Sequence, residues 1–229
     1  MEITPIAHIR SDFQTKFGIP RQSGLARTTA EIVFEPEYRS ADAVRGLDQF
    51  SRIWIIWEFS ENTKKVKNNW SPTVRPPRLG GNIRMGVFAT RSPFRPNSLG
   101  LSCVELNAVE IRKGLGPVLK VTGADLMNGT PIYDIKPYMP SSDSFPEASG
   151  GFTDTHAFSH LQVIFPDALL NRIKEEKRQG LLEVLAEDPR PSYQKDPNRI
   201  YGILFDRADI RFQVRDQVLT VIDVQPVKE

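Results

Sequence analysis

The chain has 229 residues, with 30 lysines and arginines against 28 aspartates and glutamates, for a formal net charge of +2. A general-purpose polyanion binder would be far more basic, and 39% hydrophobic residues exclude wholesale disorder. A single cysteine, Cys103, excludes an internal disulfide and fits a reducing, cytoplasmic setting. No secretory leader and no apolar run long enough to span a bilayer is visible.

Taken in chain order, Ile3 to Arg10 is predicted as a strand and Glu31 to Glu35 as another. Between them PRQSGL (20–25) sets Arg21 and Gln22 ahead of a glycine in a loop. Ser40 is expected to cap a short helix over Ala41 to Leu47. Arg52 to Phe59, rich in Ile and Trp, reads as a buried strand. Arg84 to Thr90, Leu99 to Ala108, Pro117 to Ala124 and Thr130 to Tyr138 read as further strands, and Cys103 as a small buried hydrophobe among them. Many short strands with few helices predict a mostly β fold, a barrel or sandwich. A doubly wound parallel sheet needs a helix between most strands and is disfavoured. No G-x-G-x-x-G follows a strand.

Residues 141 to 151 (SSDSFPEASGG) mark a connection. Asp167 to Asp188 carries apolar residues at helical spacing, with an interruption expected near Gly180. After DPRPSY (188–193) come strands over Ile200 to Phe205, Asp209 to Val214 and Val218 to Val224. The expected organisation is a β domain over 1–140, a linker over 141–152 and a small α+β domain over 153–229.

Charge distribution says more than charge total. From Asn62 to Val104 there is no Asp or Glu, while Lys64, Lys65, Lys67, Arg75, Arg78, Arg84, Arg91 and Arg95 all fall there. Within this stretch, Gly80-Gly81 opens backbone conformations that let N–H groups approach a ligand. Pro93 and Pro96 stiffen the chain around Arg95. Arginines on such a loop make a preorganised anion site; alternatively, Arg91 and Arg95 pair with carboxylates to hold loops. In the strand after Asn128-Gly129, Asp134, Lys136 and Tyr138 share one face. That row suits either proton handling and substrate binding or a solvated ion pair capped by a tyrosine. His156 and His160 are four apart with no further ligand nearby, so no metal site is expected.

These residues resemble the TrmO family (YaeB or TsaA-like proteins), tRNA methyltransferases acting on threonylcarbamoyl-modified adenosine beside the anticodon. The similar segments are PRQSGL (20–25), ADAVRGL (41–47), RPPRLGGNIRMGVFATRSPFRPNSLGLS (75–102), DLMNGTPIYDIKPYMP (125–140) and DPRPSY (188–193). The resemblance implies an N-terminal β-barrel, closed or nearly so, with a small C-terminal domain. It also implies a homodimer and S-adenosylmethionine bound near the dimer interface. Matched to the family's motif positions, the cofactor contacts would be Gln22, Ser23, Gly24, Ser60, Glu61, Arg91, Leu101, Asn128, Gly129, Thr130 and Pro131. Many members have His-Gln at Ser60-Glu61, Asp at Asn128, Pro-Ile at Ser98-Leu99 and Pro at Ser23, so this pocket differs in polarity.

For methyl transfer the attacking N6 must lose a proton, and Asp134 is the candidate acceptor. Arg75, Arg78, Arg84, Arg95, Lys136 and Tyr138 would serve the tRNA, its phosphates or the substrate's carboxylate, with Arg91 beside the reaction. A tRNA-binding barrel without catalysis shares the basic stretch but predicts no cofactor binding. A hydrolase of phosphorylated small molecules is opposed by the lack of a carboxylate or histidine cluster.

Overall fold

The structure is a computed structural model that describes residues 2–60, 70–156, 160–191, 194 and 196–227. Glu61, Lys64, Lys65 and Lys67 lie outside the described residues. Six antiparallel strands close a barrel in the order β1-β2-β7-β6-β3-β8, with β8 pairing back to β1. They are β1 (Ala7–Arg10), β2 (Thr29–Phe34), β3 (Arg52–Glu58), β6 (Leu99–Arg112), β7 (Gly116–Thr122) and β8 (Pro131–Pro137). Side chains alternate across each strand. In β3, Ile53, Ile55 and Trp57 point inward, while Trp54, Ile56 and Glu58 line the outer face. Ile9, Ile32, Val104, Leu119, Val121 and Ile132 fill the same interior, each burial being worth roughly 1.5–3 kcal/mol.

The stretch predicted as a strand over Arg84 to Thr90 is different. Only Met85–Gly86 (β5) is extended, paired to Thr73–Val74 (β4), and Val87–Ala89 then turns as one 3-10 loop. Glycine and two short turns leave too few consecutive extended residues to join the barrel. Ser40 does cap a helical turn, its hydroxyl accepting from Asp42 N–H, but the turn is 3-10 and ends at Val44. β1 starts only at Ala7, and Cys103 is half-buried on the outer face of β6.

A second unit packs the sheet β10 (Tyr201–Phe205), β11 (Ala208–Arg215), β12 (Val218–Pro226) and β9 (Gln162–Ile164) beneath a helix over Glu175–Ala186. β9, running parallel to β12, has no counterpart among the expected strands. The helix is not interrupted at Gly180, which is buried at its centre. The break falls instead between Leu170 and Glu175. Glycine at 180 serves packing, because a Cβ there would crowd the Arg27 carbonyl and Thr28.

Phe13 and Ala26, from the N-terminal segments, belong to the second unit's core. Asp12 is buried and accepts from Lys177 Nζ at 2.7 and 2.9 Å. Arg21 donates to the carbonyls of Glu187, Asp188 and Arg190, and burial lowers its pKa. Thus PRQSGL meets residues 188–190, and its arginine ties down the loop that leaves the helix.

Candidate cofactor and nucleic-acid site

β7 pairs with β6 only as far as Thr122 opposite Glu105. Beyond that point the 20–25 loop takes over the free edge of β6. Cys103 N–H donates to Ser23 Oγ at 3.2 Å, and Gly24 N–H, at φ +80°, donates to the Gly123 carbonyl at 2.8 Å. Gln22 is thereby held at the rim, where its Oε1 accepts from Arg91 at 2.6 Å. Four of the expected cofactor residues, Gln22, Ser23, Gly24 and Arg91, converge here, and their anchor is the β6 edge.

Beneath them runs a polar chain that the sequence reading missed. The buried Trp57 indole N–H donates to Ser102 Oγ at 2.9 Å, and that hydroxyl donates to Asp125 Oδ1 at 2.5 Å. Burial raises the Asp125 pKa. The Ser102 hydroxyl, the Arg91 charge and the Ser23 backbone pull it partly back. Asp125 opens the DLMNGTP segment, so an acid directly after a run of buried strand residues was the available signal.

Leu101 is 54% exposed on the outer face of β6. It stands opposite Ile56 of β3, which stands opposite Asp134 of β8. The next row is Cys103, Trp54 and Lys136. Asp134 therefore shares an outer face with Leu101, two strands away. Its Oδ2 lies 3.0 Å from Lys136 Nζ, and its Oδ1 accepts from Ile135 N–H, so the ion-pair reading of this row describes the geometry. Tyr138 packs its ring against Trp54 at 5.9 Å. Nearby, a bulge opposite Ile56 and Trp57 turns Tyr133 toward Glu58, where burial first and the carboxylate second push its pKa up to about 12.

Other expected residues make their hydrogen bonds elsewhere. Asn128 bonds Ser11, Phe13 and Gln14, while Gly129 N–H donates to the Ile9 carbonyl. Thr130 caps its own turn, and Pro131 pairs with His8. Ser60 closes a tight turn onto the Glu58 carbonyl. Arg95 turns inward to the Thr90 carbonyl at 2.6 Å, so it holds its loop through carbonyls rather than carboxylates. Arg84 donates to Thr73 Oγ1 while staying exposed; Arg75 is exposed and Arg78 half-buried. Among the described residues, no group of three or more His, Cys, Asp or Glu is placed to hold a metal ion.

Comparison with known families settles the lineage. The model of the tRNA-methyltransferase O N-terminal domain matches residues 8–144, and that of the TrmO C-terminal domain matches 159–227. The chain belongs to the tRNA-methyltransferase O family. It is 42% identical over 230 residues to a tRNA (adenine(37)-N6)-methyltransferase of Escherichia coli, covering 96% of each protein. A Pseudomonas aeruginosa protein, named as a putative S-adenosylmethionine-dependent methyltransferase RcsF, is 36% identical over 97% of this chain and 96% of its own. The crystal structure of TrmO from Pseudomonas aeruginosa superposes with a TM-score of 0.77 at 31% identity, covering 98% of each chain. The six-stranded barrel with its appended sheet is thus the fold of a TrmO protein.

Proposed function

We propose that this TrmO protein transfers a methyl group from S-adenosylmethionine to N6 of threonylcarbamoyladenosine at tRNA position 37, the position named in its Escherichia coli relative. One observation carries the reading: Gln22, Ser23, Gly24 and Arg91 are drawn by hydrogen bonds to the free edge of β6. The groups gathered there suit that cofactor. The amide of Gln22, the hydroxyl of Ser23 and the guanidinium of Arg91 gather at this edge, with the Asp125 carboxylate beneath them on Ser102. A ligand with an ammonium, a carboxylate and a flat heterocycle finds a counterpart for each.

When bound, the cofactor supplies an electrophilic methyl on a sulfonium. The chain's own work is positioning, which accounts for several kcal/mol of barrier reduction in such transfers. Arg91, fixed by Gln22, neutralises a carboxylate of cofactor or substrate. The exposed arginines Arg75 and Arg84, with Arg78, hold tRNA phosphates. Asp134 is the candidate to accept the N6 proton, after exchanging its Lys136 partner for substrate. The outer face of β6, β3 and β8, with Leu99, Leu101, Ile56 and Trp54, supports a homodimer. No helix among the described residues is long and apolar enough to cross a membrane; a tRNA substrate fits a cytoplasmic setting.

The test is incubation with labelled S-adenosylmethionine and tRNA carrying the threonylcarbamoyl group. Label is expected in the digested modified nucleoside. Absence of label together with absence of cofactor binding in calorimetry overturns the proposal. Arg91→Ala is expected to lower turnover roughly a hundredfold, the scale of one lost charge-stabilising contact. Asp134→Asn is expected to lower kcat by a similar factor if it takes the proton, and an unchanged kcat removes it from that role.

A further inference from the structure

Phe88 has no packing reason to be where it is. Its neighbour Val87 is buried, but the 3-10 turn over Val87–Ala89 throws Phe88 outward, 72% exposed. Trp70 (48% exposed), Ile83 (52%) and Phe94 (49%) share the same acid-free loop region. The turn is nonetheless held firmly. Arg95 donates to the carbonyls of Thr90 and Val87, its guanidinium lies 5.9 Å from the centre of the Phe88 ring, and the Trp70 and Phe88 rings are 6.4 Å apart. Water-facing aromatic rings cost solubility wherever they are not used. Here they are interleaved with Arg75, Arg78, Arg84, Arg91 and Arg95, and from Asn62 to Val104 no carboxylate dilutes that charge.

We propose that Phe88, beside Trp70 and with Phe94 exposed on the same loop, is a stacking platform for the unpaired bases of an RNA loop, while arginines of the same stretch take the phosphates. Positive charge alone fits any polyanion, and exposed rings alone fit any apolar partner. The combination on one loop fits a single strand whose bases are splayed outward, because each base has a flat π face to lay on a ring. A regular duplex hides those faces and offers only phosphates. The inference rests on the methyltransferase reading and extends it, assigning the capture of the loop around the target nucleotide to Phe88.

The test uses two labelled RNAs with equal numbers of phosphates, one a hairpin with an unpaired anticodon-type loop, the other a blunt duplex. Phe88→Leu keeps an apolar side chain of similar bulk and removes the π face. It is expected to weaken hairpin binding about tenfold, to leave duplex binding and calorimetric cofactor binding unchanged, and to leave the oligomeric mass unchanged. Phe88→Trp is expected to restore hairpin binding. Arg84→Ala is expected to weaken both RNAs and to reduce the salt dependence by about one ion. Equal effects of Phe88→Leu on hairpin and duplex, no effect on either, or a change of oligomeric mass overturns the platform, the last making Phe88 a subunit contact. Methyl transfer by the unaltered protein is scored in parallel. Transfer with a neutral Phe88→Leu sinks the platform alone, and hairpin binding that depends on Phe88 without any transfer sinks the methyltransferase reading alone.

Discussion

Gly100 lies on the inner face of β6, directly opposite Trp57, and a Cβ built there would overlap the indole ring. The ring cannot give way freely, because its N–H is committed to Ser102 in the closed interior. Gly100→Ala is therefore expected to lower stability by about 1–3 kcal/mol, the usual cost of forcing bulk into a packed core. Gly86→Ala, with open space around it, serves as the control and should move the denaturation midpoint little. Ser102→Ala strands the buried indole N–H and should cost about 1–3 kcal/mol. In the Trp57→Phe background that loss should shrink, since the donor is already gone; a fully additive double variant would show that the two groups do not interact.

At the scale of elements, the outside of the barrel is tied by charge across three strands. Arg112 at the end of β6 bonds Glu31 of β2 at 2.7 and 3.0 Å, and it also meets Glu110, which pairs with Lys120 of β7. The Arg112 hydrogen bonds, outweighing burial, lower the Glu31 pKa in the folded state. A carboxylate with a depressed folded pKa stabilises the fold above its unfolded pKa and loses that contribution as pH falls through the folded value. Glu31→Gln should thus lower stability at neutral pH and flatten the stability profile below about pH 4.5. A denaturation series across that range checks it, and parallel curves for both proteins would exclude the pair as a source of acid sensitivity.

β3 and the first half of β6 were legible because their inward residues alternate over six or more positions, as in RIWIIWE. The 84–90 segment misled because MGVFA shows the same apolar density over a span that a two-residue strand and a 3-10 turn divide. β9, three residues long, is too short to announce itself. Within the site, glycine and proline revealed the 20–25 and 75–102 loops, but not their partners. The three carbonyls that Arg21 meets lie 166 to 169 residues further along the chain. Likewise Asp125 looks like any turn acid until the fold sets Ser102 against it. Spacing put Asp134, Lys136 and Tyr138 on one face, and only the register across β3 shows that Leu101 shares it.

Taken whole, the molecule joins its two units by burying one charge pair rather than by a broad apolar seam alone. Asp12 follows β1 and Lys177 sits in the Glu175–Ala186 helix, their side chains 9% and 19% exposed. Burial is the largest influence on Asp12 and raises its pKa, while Lys177 counteracts that rise. Removing Lys177 leaves a carboxylate in the interior with its main compensation gone, a change that typically costs 3–5 kcal/mol. A group whose folded pKa is raised favours the fold at low pH and loses that contribution as pH rises through the folded value. In Lys177→Ala the folded pKa of Asp12 climbs further, so the window widens upward from the unfolded value of 3.8. The deficit of the variant should accordingly be largest at neutral pH and shrink toward acid pH, as Asp12 takes up a proton. Asp12→Asn in the same background should restore part of the neutral-pH loss, because the amide carries no charge to strand. Denaturant unfolding of the three proteins at neutral and acid pH decides it: a deficit independent of pH, or no rescue by Asn, would place the coupling of the two units in the Phe13 and Gly180 contacts instead.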